Sequence, residues 1–191
     1  FNERIRIDGI PISNEKIIKF IESHKQTLIE SSITFFEATT ALAFEYFAEK
    51  NVDIAIVETG LGGRLDSTNV LSPIQTIITE IHYDHTHILG NSIEEITSEK
   101  CGIFKNQTPA ITVNSDPRAI KTIKKHALIK NVKVSFIKKE DIVIKNQTPK
   151  SVNFTYDMQE FSMPQAGSYQ TQNAMLAIKT CQDNFHNLTN E

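Results

Sequence analysis

The sequence predicts an α/β fold: a mostly parallel central sheet flanked by helices, with a small antiparallel β extension. Three observations carry this. Short apolar runs rich in β-branched residues recur at 53–57 (DIAIV), 74–81 and 110–113. Helical patterns at 93–100 and 117–129 alternate with them, which implies parallel strands covered on both faces. After about Lys130 the chain changes to short strand-like runs joined by polar turns such as Lys145-Asn146-Gln147.

The elements follow in order. Residues 4–7 alternate, with Ile5 and Ile7 on one side, and Asp8-Gly9 supplies a turn. Residues 13–29 read as a helix capped by Ser13, with Lys16 where a capping box wants Glu. Residues 34–50 form a stronger helix, in which Phe36, Thr40, Ala43, Phe44 and Phe47 recur at helical steps. The run 53–57 is expected to be a buried strand ending at Glu58, and 74–81 and 110–113 are expected to be two more. Past Lys130, residues 132–137, 141–144 and 152–156 are expected as strands of the antiparallel addition, within a subregion of about 131–164. Residues 170–181 close the chain as a helix, with Ala174, Leu176, Ala177 and Ile178 apolar.

Hydrophobic residues make up 39% and charged residues 23%, which fits a globular chain rather than a disordered one. A net charge of −3 gives no general attraction to nucleic acid or anionic membrane, and no apolar run is long enough to span a bilayer. Two distant cysteines, Cys101 and Cys181, form no CxxC and favour a reducing compartment without a disulfide framework. The chain begins at Phe1 inside sequence that already reads as structured, so a natural N-terminal portion is expected to be missing.

The glycines of VETGLGGRLDSTNV (57–70) suggest a phosphate loop, but the pattern fails. Gly60 and Gly62 fit G-x-G-x-x-G, whereas the third position is Leu65, and no G-x-x-x-x-G-K-[ST] run exists in the chain. Glu58 is the more informative residue. It ends an expected central strand, at the sheet edge where α/β folds bind ligands. A carboxylate there holds Mg²⁺, or is simply solvated, or pairs with Arg64.

The next strand ends in ITEIHYDHTHILG, with His82, Asp84, His85 and His87. The order H-x-D-H-x-H does not match the hydrolase pattern H-x-H-x-D-H, and there is no H-E-x-x-H. One imidazole near Glu58 can complete a Mg²⁺ or Mn²⁺ site, or it is a capping or hydrogen-bonded core residue. Ser92 and Glu95 form a capping box for the following helix, and Gly102 is its expected stop. Lys100 falls on one stripe with Ile93 and Ile96. A buried ammonium needs a partner, so Lys100 pairs with an acid or phosphate, becomes a carbamate through CO₂, or snorkels to the rim.

Taken together, ERIRIDG, TFFEATTALAF, ETGLGGRLDSTNV, ITEIHYDHTHILGNSIEEITSEKCGIFK and GSYQTQNAMLA occur in that order. This combination resembles the folylpolyglutamate synthase/dihydrofolate synthase family of the Mur ligase superfamily. The resemblance covers nearly the whole chain and is weakest at 132–163.

It implies a Mur ligase-type central domain, incomplete over 1–191, from an ATP-dependent carbon–nitrogen ligase. Such an enzyme adds L-glutamate to dihydropteroate or a folate through an acyl phosphate, with two Mg²⁺ ions and ATP as co-substrate. By the same resemblance Glu58 and His85 are Mg²⁺ ligands, and Lys100 is a carbamylated, metal-bridging residue. Thr34, Phe35, Phe36 and Glu37 meet the pterin, as do Leu65, Asp66 and Ser67. Asn173 contacts the nucleotide base. The family's P-loop, its Mg²⁺-binding serine loop and its C-terminal domain have no counterpart in these residues. The expectation is therefore a monomeric, cytoplasmic parent enzyme with small-molecule partners, and a fragment that is inactive by itself. The rival readings are another Mur-type amino acid ligase and a non-catalytic, truncated binding domain.

Overall fold

The computed structural model describes residues 1–165 and 167–185, which form two compact units. The first comprises residues 1–61 and 66–70; the second comprises 62–65 and the chain from 71 onward.

The first unit opens with a hairpin of β1 (Arg6–Ile7) and β2 (Ile10–Pro11). Asp8 and Gly9 both take positive φ, 51° and 77°, as a tight two-residue turn requires. Two helices follow, α1 (Asn14–Glu30) and α2 (Phe35–Lys50). Ser13 caps α1 by accepting from the Lys16 amide. Lys16, lacking the carboxylate of a capping box, sends its ammonium to Glu45 at 2.8 Å and Glu49 at 2.6 Å on α2. Ile5, Ile12, Phe20 and Leu42 form the core, with Ala43, Tyr46 and Phe47 packed against it. Of the α2 stripe read from sequence, Thr40 is buried and Ala43 and Phe47 pack on this core, while Phe36 is 39% exposed and Leu42 joins the core from outside the stripe.

The run 53–57 is not a buried strand. It has no ladder partner among the described residues, and Ile56 is 94% exposed. β-branched composition favours an extended chain, but a strand exists only where a second backbone pairs with it.

The second unit contains a parallel sheet in the order β3 (Thr76–Ile78), β4 (Ala110–Thr112), β5 (Val134–Phe136). The helices α3 (Thr86–Leu89) and α4 (Ile93–Lys100) follow β3, and α5 (Pro117–Ile129) follows β4. An antiparallel sheet of β6 (Val143–Gln147), β7 (Val152–Tyr156) and β8 (Gln159–Met163) comes next, then α6 (Tyr169–Asn184). Ile111 of β4, with Val113 and Ile137 just past the ends of β4 and β5, packs with Val152 and Phe154 of β7 and with Met175 and Leu176 of α6.

Two sequence expectations need correction, and one strand is added. The strand within 132–137 pairs in parallel with β4 and belongs to the main sheet. β8 lacks a strong apolar alternation; it forms because β7 offers it an edge. Cover on both faces is incomplete at β3, where Ile77 is 39% exposed between the buried Thr76 and Ile78.

Candidate functional site

The glycine-rich stretch does hold an anion, and the anion is its own Asp66. One carboxylate oxygen accepts from the amides of Gly60 and Leu61, at 2.8 and 2.9 Å. The other accepts from the Thr68 amide at 3.0 Å and the Thr68 hydroxyl at 2.5 Å. Burial raises the pKa of this carboxyl, but the Thr68 hydroxyl and the three amides outweigh it and hold it below its ordinary value. Ser67 lies 3.0 Å from the Thr40 hydroxyl, which itself donates to the Phe36 carbonyl. Gly60 has no side chain because the Phe36 ring lies on it: a Cβ there would sit 2.4 Å from the ring.

Thr34 and Glu37 are spent on capping α2. The Glu37 carboxylate accepts from the Thr34 amide and hydroxyl, and the Glu37 amide donates back to Thr34. The hydroxyl and then the amide hold the Glu37 pKa low. Phe35 is 72% exposed and meets Phe1 edge-on at 5.5 Å. Phe35 and Phe36 therefore present open aromatic surface at the start of a well-capped helix. Glu58, in the same unit, is exposed.

In the second unit, residues 62–65 dock on the end of α4. The Arg64 amide donates to the Glu99 carbonyl at 2.9 Å, and Arg64 Nε donates to the Glu99 carboxylate at 3.0 Å. A Cβ on Gly63 would meet the Lys100 carbonyl at 2.9 Å. Gly102 is not the left-handed helix stop expected from sequence; α4 runs on into a 3-10 turn, Cys101–Ile103. Its lack of a side chain admits the Arg64 backbone, since a Cβ would lie 2.3 Å from Arg64 Cα. Lys100 is half-buried, and Arg64 is the cation that takes the neighbouring Glu99 carboxylate.

His85 is the N-cap of α3 in a left-handed conformation, φ 47°, with its amide bonded to the Asp84 carboxylate at 2.8 Å. Its ring is about half exposed, 3.7 Å from Asp84 and 6.3 Å between centroids from His87. Positive φ on a non-glycine residue marks a backbone held by its surroundings, a feature that gathers at functional sites. His82 instead faces Glu80 at 3.4 Å. Among the described residues, no cluster of three or more His, Cys, Asp or Glu is preassembled for a metal.

The Mur ligase middle domain family matches residues 12–181. The chain belongs to the Mur ligase family. It is 39% identical over 191 residues to dihydrofolate synthase/folylpolyglutamate synthase of Bacillus subtilis, covering 93% of this chain and 44% of that protein. It is 33% identical to folylpolyglutamate synthase of Lacticaseibacillus casei, covering 94% and 45%. The chain thus spans less than half the length of these relatives. Its fold is similar to the crystal structure of Thermotoga maritima folylpolyglutamate synthase, with a TM-score of 0.84 and 33% identity over 100% of this chain and 46% of that one.

Within this Mur ligase middle domain, Asn173 lies near the start of α6, exposed, its amide donating to Gln170 at 3.3 Å. The two free thiols differ: Cys181 is exposed, while burial pushes the Cys101 thiol up to about 12. The sequence reading overlooked Asn114, buried at the end of β4, and the Glu80–Lys139 ion pair beside it. The available signal was a polar residue after an apolar strand, the same signal that drew attention to Glu58. Among the described residues no helix is long and apolar enough to cross a membrane.

Proposed function

We propose that the chain is the ATPase portion of a ligase that joins L-glutamate to dihydropteroate or a folate. The observation that carries this is the match to folylpolyglutamate synthases along nearly all of the chain, in sequence and in fold. A solved FPGS complex of the same fold, with a TM-score of 0.81 and 29% identity, contains AMPPCP and folate. The reaction class follows: a substrate carboxylate takes the γ-phosphoryl group of ATP, and the glutamate amine then displaces phosphate from the acyl phosphate. No triphosphate cradle of the G-x-x-x-x-G-K-[ST] kind occurs in these residues, which span less than half of the Bacillus subtilis relative's length, and the chain by itself is proposed to be inactive.

Phe35 and Phe36 offer flat apolar surface suited to a heterocycle, backed by the Gly60 main chain. Thr34 and Glu37 keep that helix start in place, and Asp66 shapes the loop from which Leu65 and Ser67 are presented. Leu65, 80% exposed, supplies a further apolar contact. Asn173 supplies an amide for the nucleotide base.

Mg²⁺ suits the donors present. It takes one or two protein ligands and completes its shell with water and phosphate, so a preassembled three-residue cluster is not needed. Glu58 and His85, each exposed in its own unit, are its proposed ligands, and Lys100 as a carbamate is a further anionic one. When bound, the ions neutralise phosphate charge during transfer. The protein carrying this chain is proposed to be monomeric and cytoplasmic.

The test is incorporation of labelled glutamate by the full-length protein, with ATP and either dihydropteroate or tetrahydrofolate. Product with one or both is expected. A folded protein that yields product with neither would refute the assignment.

A further inference from the structure

The carboxyl edge of the parallel sheet contains a rung that the β4 main chain does not make. β3 and β4 pair with Ile78 opposite Thr112, so two residues later Glu80 is in register with Asn114. In a parallel ladder such a residue donates to the carbonyl before its partner and accepts from the amide after it. Here the Asn114 side chain does both. Its Nδ2 donates to the Thr79 carbonyl at 2.9 Å, and its Oδ1 accepts from the Ile81 amide at 2.7 Å. The same Nδ2 donates to Thr112 Oγ1 at 2.7 Å, so both ends of the amide are engaged. Asn114 is 5% exposed. On the same rung, the Glu80 carboxylate takes the Lys139 ammonium from beyond β5 and the Ser115 hydroxyl from beyond β4.

This side-chain rung extends the pairing of β3 to Ile81 while the main chain of residue 114 turns away toward the Asp116 cap of α5. Four residues after the pinned Ile81 comes His85, with its left-handed backbone. Aspartate could accept from Ile81 but could not donate to Thr79, and glutamine is one methylene too long. We propose that Asn114 is a positioning residue for His85, fixing the base of the loop that presents its imidazole. The proposal rests on the reading of His85 as a metal ligand.

The test uses full-length protein with a non-hydrolysable ATP analogue, Mn²⁺ as the probe, and electron paramagnetic resonance to measure Mn²⁺ affinity. Asn114→Asp is expected to weaken Mn²⁺ binding about 10-fold or more, as loss of groups that orient a ligand does. Asn114→Leu, which removes the acceptor as well, is expected to speed amide exchange at Ile81. Thr112→Val, which removes one partner of the amide, should give a smaller loss, and Ile111→Val, a packing control in the same strand, none. If His85→Ala weakens binding but Asn114→Asp does not, the positioning role is overturned and the metal reading stands. If His85→Ala leaves Mn²⁺ affinity unchanged, the metal reading falls and the proposal with it. Should Asn114→Asp fail to fold, Thr112→Val decides: an affinity equal to that of Ile111→Val overturns the proposal.

Discussion

Replacing Asp66 by Asn tests whether the glycine-rich loop is organised by its own carboxylate. The change keeps the shape of the side chain and turns one acceptor oxygen into a donor. Whichever oxygen is lost, two donors are left facing another donor: the amides of Gly60 and Leu61, or the amide and hydroxyl of Thr68. A hydrogen bond to a charged group contributes a net of about 1.5–3 kcal/mol. Two lost bonds set an upper bound of about 3–6 kcal/mol, but Asp66 is only half-buried and water can replace part of them, so about 2 kcal/mol is expected. Local opening of the loop should become about 30-fold easier, since each 1.4 kcal/mol is a factor of about ten.

Native-state hydrogen exchange at the Gly60, Leu61 and Thr68 amides reads this directly, with amides inside α1 as internal control. Exchange within about twofold of wild type at all three would refute the reasoning. The pH dependence has a fixed sign. The folded-state pKa is lowered, so the stabilisation is fully present above the unfolded value of about 3.9 and is lost as pH falls through the folded value. The difference between wild type and Asp66→Asn should therefore be complete at neutral pH and shrink in acid below about pH 4.

Three further outcomes are expected. Gly102→Ala places a methyl against the Arg64 backbone and should cost about 2–3 kcal/mol, seen as a lower melting temperature and faster exchange of the Arg64 amide; an unchanged melting temperature would contradict the close-packing account. Lys100→Ala in the full-length protein should abolish glutamate incorporation without rescue by bicarbonate, and undiminished turnover would rule out the carbamate role. Alkylation at pH 8 followed by mass-spectrometric mapping should label Cys181 quickly and Cys101 only after denaturation; equal labelling in the native state would mean that Cys101 is not sealed in the core.

What the sequence determined by itself are the features made by neighbours along the chain. Ser13, Thr34 with Glu37, Ser92 with Glu95, and Asp116 before Pro117 each bond an amide two or three residues on, so the helix starts are local chemistry. The alternation of β and α elements, and the strings around Glu58, His85 and Lys100 that mark the family, are likewise legible without coordinates.

Only the tertiary structure decided what depends on partners distant in sequence. The run 53–57 has strand composition but no ladder partner among the described residues, and the strand within 132–137 lies parallel beside β4, because pairing belongs to two backbones at once. Gly102 looked like a helix stop and is a clearance for Arg64, 38 positions away. Ser67 carries no hydroxyl partner that its own neighbours announce, and in the fold it meets Thr40, 27 positions away. Asn114 drew no notice as one polar letter after a strand, yet its amide completes the edge of the sheet. Residue type fixes what a side chain can donate, accept or fill. Which atom stands 3 Å away is set by the fold, and that decides which of those capacities is used.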